Sequence, residues 1–305
     1  MSTPPSNVIA FPDTRVSDLD AFLRTLTAPT RRVYAQVISA YTSFYGRSIE
    51  AASSRDIEAY LAHLYASGRT PATIGKVLSA LSRYYGFLVR DEIISKNPVK
   101  GVKRPKISDE STRKGTTPAE VQAILAQTDD STAGLRDRAM ITLLVLQGWR
   151  IFEVLGLTIA DLDEESGHRV ATVRGKGGKT QRVTLAAPSY AALTAWVQCA
   201  TLTDGPVFVA VRHDGTVVPG KAISTQAAEK RIASLSARAG LRHIHPHLFR
   251  HGAVTTALDE GVSLRSVQDF ARHADPRTTR RYDSQRNSLN NPTTHVLAAK
   301  LLGKS

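Results

Sequence analysis

Six side chains in the second half of the chain are of types that carry out nucleophilic and acid–base chemistry. They occur in a fixed order along the sequence: Arg150, Lys176, His247, Arg250, His273 and Tyr282. The planar fork of an arginine binds anionic oxygens in pairs, and histidine and lysine transfer protons. The phenolic oxygen of a tyrosine can act as a nucleophile. The residue types therefore suit a site that breaks a bond in an anionic substrate.

Each of these residues also has an ordinary structural explanation when it is taken alone. Arg150 and Glu153 are three residues apart, which is the spacing of a solvated ion pair on one helix face. A glycine-rich stretch such as residues 175–179 is usually only a turn, and single histidines usually serve packing or the surface. Tyr190 falls within an amphipathic helical pattern, so we expect it to pack. Only the order and spacing of the whole set favour a functional interpretation.

The composition favours a polyanionic partner. Of the 305 residues, 40 are Lys or Arg and 27 are Asp or Glu, which gives a formal net charge of +13. Nucleic acid is the first class of partner that this charge indicates, and an anionic membrane surface is the second. Because 42% of the residues are hydrophobic, the chain can build a packed core. The single cysteine, Cys199, excludes an internal disulfide and a cysteine-rich zinc site.

No segment approaches the roughly 20 apolar residues that span a bilayer. The sequence also shows no signal-peptide pattern at its start. We therefore expect a cytoplasmic protein that associates with the nucleoid and has no membrane partner.

The elements before the six residues are predicted to be helical. Residues 1–17 are predicted to form a flexible tail, and residues 18–102 to form about four helices without a strand. Thr70 and Pro71 have the types expected at a helix start. Two apolar stripes recur at helical spacing: Val33, Val37, Ile38, Tyr41 and Phe44, then Ile74, Val77, Leu78, Leu81, Tyr85 and Leu88.

A basic, proline-punctuated linker is predicted over residues 103–116. Lys103, Arg104 and Lys106 are candidate DNA contacts within it. Two interpretations stay open, a solvated connector and a strap that lies along phosphates.

The second domain is predicted over residues 117–290 and is mainly α with a small antiparallel sheet. Thr117 and Glu120 have capping-box spacing at its start. Two short strands flank the glycine-rich turn at residues 175–179. The predicted helices cover residues 117–127, 134–147, 150–156, 187–199, 223–239, 247–260 and 263–272. A further short helix is predicted within residues 291–305.

Four stretches of this domain resemble the tyrosine recombinase (phage integrase) family. They are residues 148–153, 174–179, 247–251 and 273–282. The chain is most similar to Xer-type recombinases and to short phage or mobile-element integrases without an arm-binding domain. The resemblance implies an N-terminal helical, SAM-like core-site DNA-binding domain followed by an α+β catalytic domain.

The resemblance implies site-specific DNA strand exchange through a 3′-phosphotyrosine intermediate and a Holliday junction. By this resemblance Tyr282 would be the nucleophile. A tyrosine suits the reaction because a phosphotyrosine stores the bond energy, so that rejoining needs no ATP. Arg150 and Arg250 would hold the phosphate oxygens and take the place of a metal. No cofactor and no metal are expected.

The remaining site residues also take their roles from the resemblance. Lys176 would protonate the leaving 5′-oxygen, and His247 would act as an acid or base. His273 would hydrogen-bond a phosphate oxygen. Glu153 would orient its neighbours rather than touch DNA.

Three positions depart from the common pattern of the family. Trp149 and Phe249 stand where leucine is usual, and Arg272 stands where glycine is usual. These are packing or supporting positions, so they bear on the local geometry rather than on the chemistry.

The resemblance also implies the partners. These are double-stranded DNA with paired inverted-repeat core sites, and three further copies of the chain in a homotetramer on that DNA. Exchange of the tail at residues 291–305 would join the protomers, with an accessory or partner recombinase as a further possibility. Alternatively, this tail packs on its own domain.

Three alternatives to a recombinase stay open from the sequence. A zinc enzyme would use the histidines at 243, 245, 247 and 251, although no HExxH pattern or cysteine set supports it. A topoisomerase IB-like enzyme would nick and reseal DNA with the same chemistry. A catalytically idle DNA-binding protein would keep only the fold.

Overall fold

The computed structural model divides the chain into two compact units, Met1–Ser108 and Asp109–Ser305. The structure describes residues 17–106, 114–175 and 178–272. The helix predicted within residues 291–305 and all of the predicted tail except Ser17 lie outside these ranges. Among the helices of the described ranges, none has the length and apolar content needed to cross a membrane.

The N-terminal unit is helical over its described residues, as the apolar pattern predicts. Thr70 accepts a hydrogen bond from the backbone N–H of Thr73, and Pro71 occupies the first turn of the helix that follows. This side-chain bond satisfies a helix-start N–H that has no partner within the helix. The four α-helices of residues 17–106 are α1 (Asp18–Arg24), α2 (Ala28–Tyr45), α3 (Ser54–Ala66) and α4 (Pro71–Arg90).

The core of this unit forms along one face of α4, where all six residues of the predicted stripe are buried. The stripe predicted on α2 is wider than the face that α2 buries. Ile38 and Tyr41 lie in the core, whereas Val33 is 50% exposed and Phe44 is 41% exposed. Both exposed residues lie on the flank of the helix, where Phe44 packs at the surface with its ring centroid 5.0 Å from that of Tyr60.

The segment after α4 belongs to the same core. Val99 and Val102 are buried with the helices. The Asn97 side-chain amide donates to the carbonyl of Ser82 at 2.8 Å, and the Ser54 hydroxyl donates to the carbonyl of Pro98 at 2.8 Å. The helical unit therefore includes the turn that follows its last helix.

The second unit is also mainly helical, and its helices begin and end within a few residues of the predicted ones. The capping box is present at its start, because Thr117 N–H donates to Glu120 Oε2 at 2.8 Å and Glu120 N–H donates to Thr117 Oγ1. The helices described here are α5 (Pro118–Leu125), α6 (Thr132–Leu146), α7 (Ile151–Leu155), α8 (Ala187–Cys199), α9 (Thr225–Arg238), α10 (Pro246–Asp259) and α11 (Leu264–Ala271).

The described strands form two antiparallel sheets, where the sequence predicted a single small one. The first has the order β1 (Leu162–Glu165), β2 (His168–Arg174) and β3 (Thr180–Thr184), and the predicted hairpin is its β2–β3 pair. The second pairs β4 (Val209–Val211) with β5 (Val217–Ala222). The extra strands carry weak signals, since β1 is mostly exposed and acidic and β5 contains a proline and a glycine.

The core of the second unit is organised around α6. Five consecutive or near-consecutive residues of this helix are completely buried: Ala139, Met140, Ile141, Leu143 and Leu144. The second half of this helix is apolar on all sides, as expected for a segment in the interior, and α6 packs against both α8 and α10. A turn of four residues joins α6 to α7. The packing of α6 in the core therefore fixes the position of Arg150 at the end of that turn.

The chain before α5 packs tightly on α10 and on the segment that precedes α10. The Thr116 backbone N–H donates to the carbonyl of Leu248 at 3.1 Å, and Arg242 Nη2 donates to the carbonyl of Gly115 at 2.8 Å. A Cβ placed on Gly252 would lie 2.1 Å from the carbonyl oxygen of Thr116. The end of the predicted linker is therefore part of the second unit and is fixed to the helix that carries His247 and Arg250.

This close approach predicts that Gly252→Ala destabilises the second unit by about 1–3 kcal/mol, because backbone rather than a flexible side chain must move. A loss of this size lowers the melting temperature by several degrees, which differential scanning calorimetry measures. Gly86→Ala is the matched control, since its added Cβ finds only Asn97 Nδ2 at 3.9 Å and alanine favours the helix. Equal melting temperatures for Gly252→Ala and the unmodified protein would contradict the packing argument.

Candidate active site

Arg150 lies at the N-terminus of α7 and is held there by Glu153. Its backbone N–H donates to Glu153 Oε2 at 2.7 Å, and its Nη1 donates to Oε1 at 2.9 Å. The sequence predicted a pair on one helix face, whereas Arg150 precedes the helix as its N-cap residue. The side chain of Glu153 is 1% exposed and that of Arg150 is 32% exposed, so the pair is not a solvated surface pair.

A second arginine, Arg272, also binds Glu153. Its Nη2 donates to Oε2 at 2.6 Å, and its guanidinium carbon lies 5.6 Å from the ring centroid of Trp149. Burial alone would raise the pKa of Glu153. The backbone bond from Arg150, the charge of Arg272 and the side-chain bonds of both arginines outweigh burial, so the pKa lies below its ordinary value. Glu153 therefore carries a negative charge that two guanidinium groups share.

Arg250 connects three parts of the second unit from within α10. It is 1% exposed. Its Nη1 donates to the carbonyl of Gly148, just before Arg150, and its Nη2 donates to the carbonyl of Ala271. Gly148 has φ +57°, and a Cβ there would lie 2.6 Å from the ring of Phe270, so this turn requires glycine.

His247 lies one turn before Arg250 on α10, and solvent reaches it. Its pKa is held below the ordinary value, first by the surrounding protein that replaces water and then by the charge of Arg250. His245, His251 and Arg150 lower the pKa further. The imidazole is therefore neutral near pH 7, one helical turn from Arg250 and within range of the charge of Arg150.

A cleft of about 420 Å³ joins Arg150 to the β2–β3 hairpin. Arg150, Glu153, Lys179, Gln181 and Arg272 lie along its wall. Three cations thus face one concave surface, and Glu153 is the carboxylate between two of them. This arrangement suits an anionic substrate that lies across α7 and the hairpin.

Lys176, His273 and Tyr282 lie outside the described residues. The described residues on either side of Lys176 close the hairpin turn, because Gly175 N–H donates to the carbonyl of Lys179 at 2.7 Å. Of the site residues that the sequence predicted, the structure brings Arg150, Glu153, His247 and Arg250 together.

Two residues of this site were not predicted from the sequence. Arg272 was noted only as an unusual residue in place of glycine, and Lys179 only as part of the turn. A basic residue directly after the end of α11 was the available signal for Arg272. Its contact with Glu153 spans 119 positions in the sequence, so no local pattern reveals it.

The three candidate DNA contacts of the linker lie on the first unit. Lys103, Arg104 and Lys106 are exposed, and Arg104 Nη1 donates to the Ser79 hydroxyl on α4 at 3.1 Å. Exposed cations fixed beside a helix can bind phosphates. Their role in DNA binding stays a prediction.

The zinc alternative requires histidines that converge on one point. Within the described residues, no three His, Cys, Asp or Glu side chains are grouped so as to hold a metal ion. His251, one of the four candidates, is instead largely buried in α10 with its Nδ1 3.4 Å from the Thr255 hydroxyl.

The chain matches two protein-family models. Residues 114–288 match the phage integrase family, and residues 17–95 match the phage integrase N-terminal SAM-like domain. A curated relative, the tyrosine recombinase XerC of Xanthomonas campestris pv. campestris (strain B100), is 31% identical over 285 residues, which cover 88% of this chain and 84% of the relative.

Two solved structures share the fold. The XerH site-specific recombinase bound to palindromic difH substrate in a post-cleavage complex has a TM-score of 0.69 at 21% identity, and the match covers 90% of this chain and 81% of that one. A lambda integrase tetramer bound to a Holliday junction has a TM-score of 0.66 at 17% identity, with 90% and 80% covered. The two family models together match most of the described residues, one in each unit, and the fold class predicted from the sequence is confirmed. The chain therefore belongs to the phage integrase family and is a tyrosine recombinase, an enzyme that cleaves and rejoins DNA strands.

Proposed function

We propose that this chain exchanges DNA strands at paired inverted repeats, with Tyr282 as its nucleophile and Arg150 and Arg250 at the scissile phosphate. The convergence of Arg150, His247 and Arg250 on one site is the observation that carries the proposal. These residues come from segments about 100 positions apart, and the hydrogen bond from Arg250 to the carbonyl of Gly148 joins the helix of His247 and Arg250 to the turn that carries Arg150.

The two arginines differ in how they are held. Glu153 is the one hydrogen-bond partner of the Arg150 side chain among the described residues, and a guanidinium has five N–H donors. The exposed side of the Arg150 guanidinium can therefore bind a phosphate oxygen. Arg250 is fixed from behind by two backbone carbonyls, which sets the plane of its guanidinium before DNA arrives. Such preorganisation stabilises the negative charge that develops in the transition state.

The reaction exchanges one phosphodiester for another. The Tyr282 oxygen attacks phosphorus, the bond from phosphorus to the 5′-oxygen breaks, and a 3′-phosphotyrosine forms with a free 5′-hydroxyl. Lys176 donates a proton to the leaving oxygen, and His247 takes up the phenolic proton. His273 donates a hydrogen bond to a phosphate oxygen. A 5′-hydroxyl from the partner duplex then reverses the step, so neither ATP nor a metal is required.

The proposed partners follow from charge and from the shared fold. A net charge of +13 and the exposed cations at 103, 104 and 106 support binding of duplex DNA and association with the nucleoid. The lambda integrase neighbour is a tetramer on a Holliday junction, which supports a homotetramer here. We propose that residues 291–305 join the protomers, and that each protomer clamps a repeat of about ten base pairs.

Tyr282→Phe is expected to abolish covalent attachment to DNA, because phenylalanine lacks the attacking oxygen. The probe is a pool of nicked duplexes that carry inverted repeats of random sequence, and the readout is an SDS-resistant protein–DNA band. Tyr190→Phe is the matched control, since Tyr190 packs on α8 against the core. A band that survives in Tyr282→Phe would reject the assignment of the nucleophile.

Arg150→Lys is expected to slow cleavage by about 10²–10³-fold while DNA binding is retained, because lysine keeps the charge but not the fork. Arg250→Ala should slow cleavage at least as much. Single-turnover cleavage and filter binding on a duplex recovered from the pool measure the two properties. Because Arg250 is buried, its substitution can also impair folding, and calorimetry is used to detect such a loss. Unchanged cleavage by Arg150→Lys would remove Arg150 from the proposed site.

DNA binding is expected to raise the pKa of His247, because a phosphate beside Arg150 and Arg250 adds negative charge next to the imidazole. A group whose pKa is higher in the complex takes up a proton on binding, so affinity increases as the pH falls through that range. The slope of log Kd against pH between about 5.5 and 7.5 should be smaller in His247→Gln than in the unmodified protein. Equal slopes would show that His247 does not face the phosphate.

A further inference from the structure

Arg272 occupies a backbone conformation that favours glycine. It caps α11 with φ +47° and ψ +47°, the left-handed region that side chains with a Cβ adopt at a cost. Among the described residues, the other non-glycine positions with positive φ are Glu92, Ser166 and Thr201, and all three are exposed. Arg272 is the one whose side chain is turned into the protein, with 13% of it exposed.

The buried guanidinium adds a second cost. A charge removed from water is stable only where it is paired and hydrogen-bonded, and burial lowers the pKa of Arg272 although Glu153 opposes this. The pairing is close, at 2.6 Å from Nη2 to Glu153 Oε2, and the ring of Trp149 lies 5.6 Å from the guanidinium carbon. Arg272 therefore combines an unfavourable backbone conformation with a buried charge. A residue that bears both indicates that its side chain has a role.

The contacts of Glu153 show what that role can be. Its Oε2 accepts from both Arg272 Nη2 and the Arg150 backbone, while its Oε1 accepts from Arg150 Nη1. The terminal torsion of a glutamate is broad and poorly restrained by itself. Arg272 and the Arg150 backbone hold Oε2 from two directions and so fix the carboxylate plane, and Oε1 then fixes the orientation of the Arg150 guanidinium.

We propose that Arg272 is a positioning residue, which acts through Glu153 to hold the Arg150 guanidinium in the orientation that binds the scissile phosphate. This inference rests on the proposed role of Arg150. The contact also joins α7 to the end of α11, one residue before His273. Two of the three residues that depart from the family pattern, Trp149 and Arg272, contact each other.

Arg272→Gly tests the proposal, because it removes the side chain and relieves the backbone strain together. We expect cleavage to slow by about tenfold or more, since small errors in catalytic geometry are costly, while Kd for DNA stays within about twofold. Arg272→Lys keeps a charge for Glu153 and should recover part of the rate. Arg169→Ala is the matched control, because Arg169 also pairs with a glutamate, Glu164, and lies 5.0 Å from a ring centroid, that of Tyr190.

The decisive measurement is a double-mutant cycle with Glu153→Gln. If Arg272 acts through Glu153, the double variant Arg272→Gly, Glu153→Gln cleaves no more than about twofold more slowly than the slower single variant. Multiplied effects of the two substitutions would overturn the proposal. A weaker Kd with a smaller salt slope in Arg272→Gly would also overturn it, because that result identifies a direct phosphate contact.

The outcome for Arg150→Lys separates the proposed function of Arg150 from the positioning role of Arg272. Wild-type cleavage by Arg150→Lys would reject the proposed function of that arginine, and the positioning role with it. Slow cleavage by Arg150→Lys together with wild-type cleavage by Arg272→Gly would reject the positioning role alone.

Discussion

The buried carboxylate of Glu153 is the interaction on which the described part of the active site depends. It lies at the start of α7 with 1% of its side chain exposed, and it accepts hydrogen bonds from Arg150 and Arg272. A charge in such a place would be unstable without these partners. With them it stays ionised, and it arranges two cations along one wall of the cleft.

The second requirement is that α10 be held in register with the turn before α7. Arg250 meets it by donating to the carbonyls of Gly148 and Ala271, and Gly252 holds the same helix against the chain before α5 by allowing Thr116 to approach. The helix cannot slide without losing these bonds and the close contact at Gly252. The site is therefore built from backbone contacts as much as from charged side chains.

Much of the fold follows from local patterns in the sequence. The predicted helices and the β2–β3 hairpin correspond to apolar periodicity, capping residues and a glycine-rich turn, all of which act over a few residues. The β4–β5 sheet was missed because β5 contains Pro219 and Gly220, which weaken a strand pattern. The exposure of Val33 and Phe44 was missed because periodicity gives the direction of an apolar face but not its width.

The sequence by itself determined the residue types of the site, their order and the family, because these depend on identity and spacing. The tertiary structure decided which of these residues meet. Glu153 and Arg272 are 119 positions apart and Arg250 and Gly148 are 102 apart, and pairs so distant are chosen by the packing of helices around α6. The physical reason is that a hydrogen bond depends on a distance of about 3 Å in space, which separation along the chain does not specify.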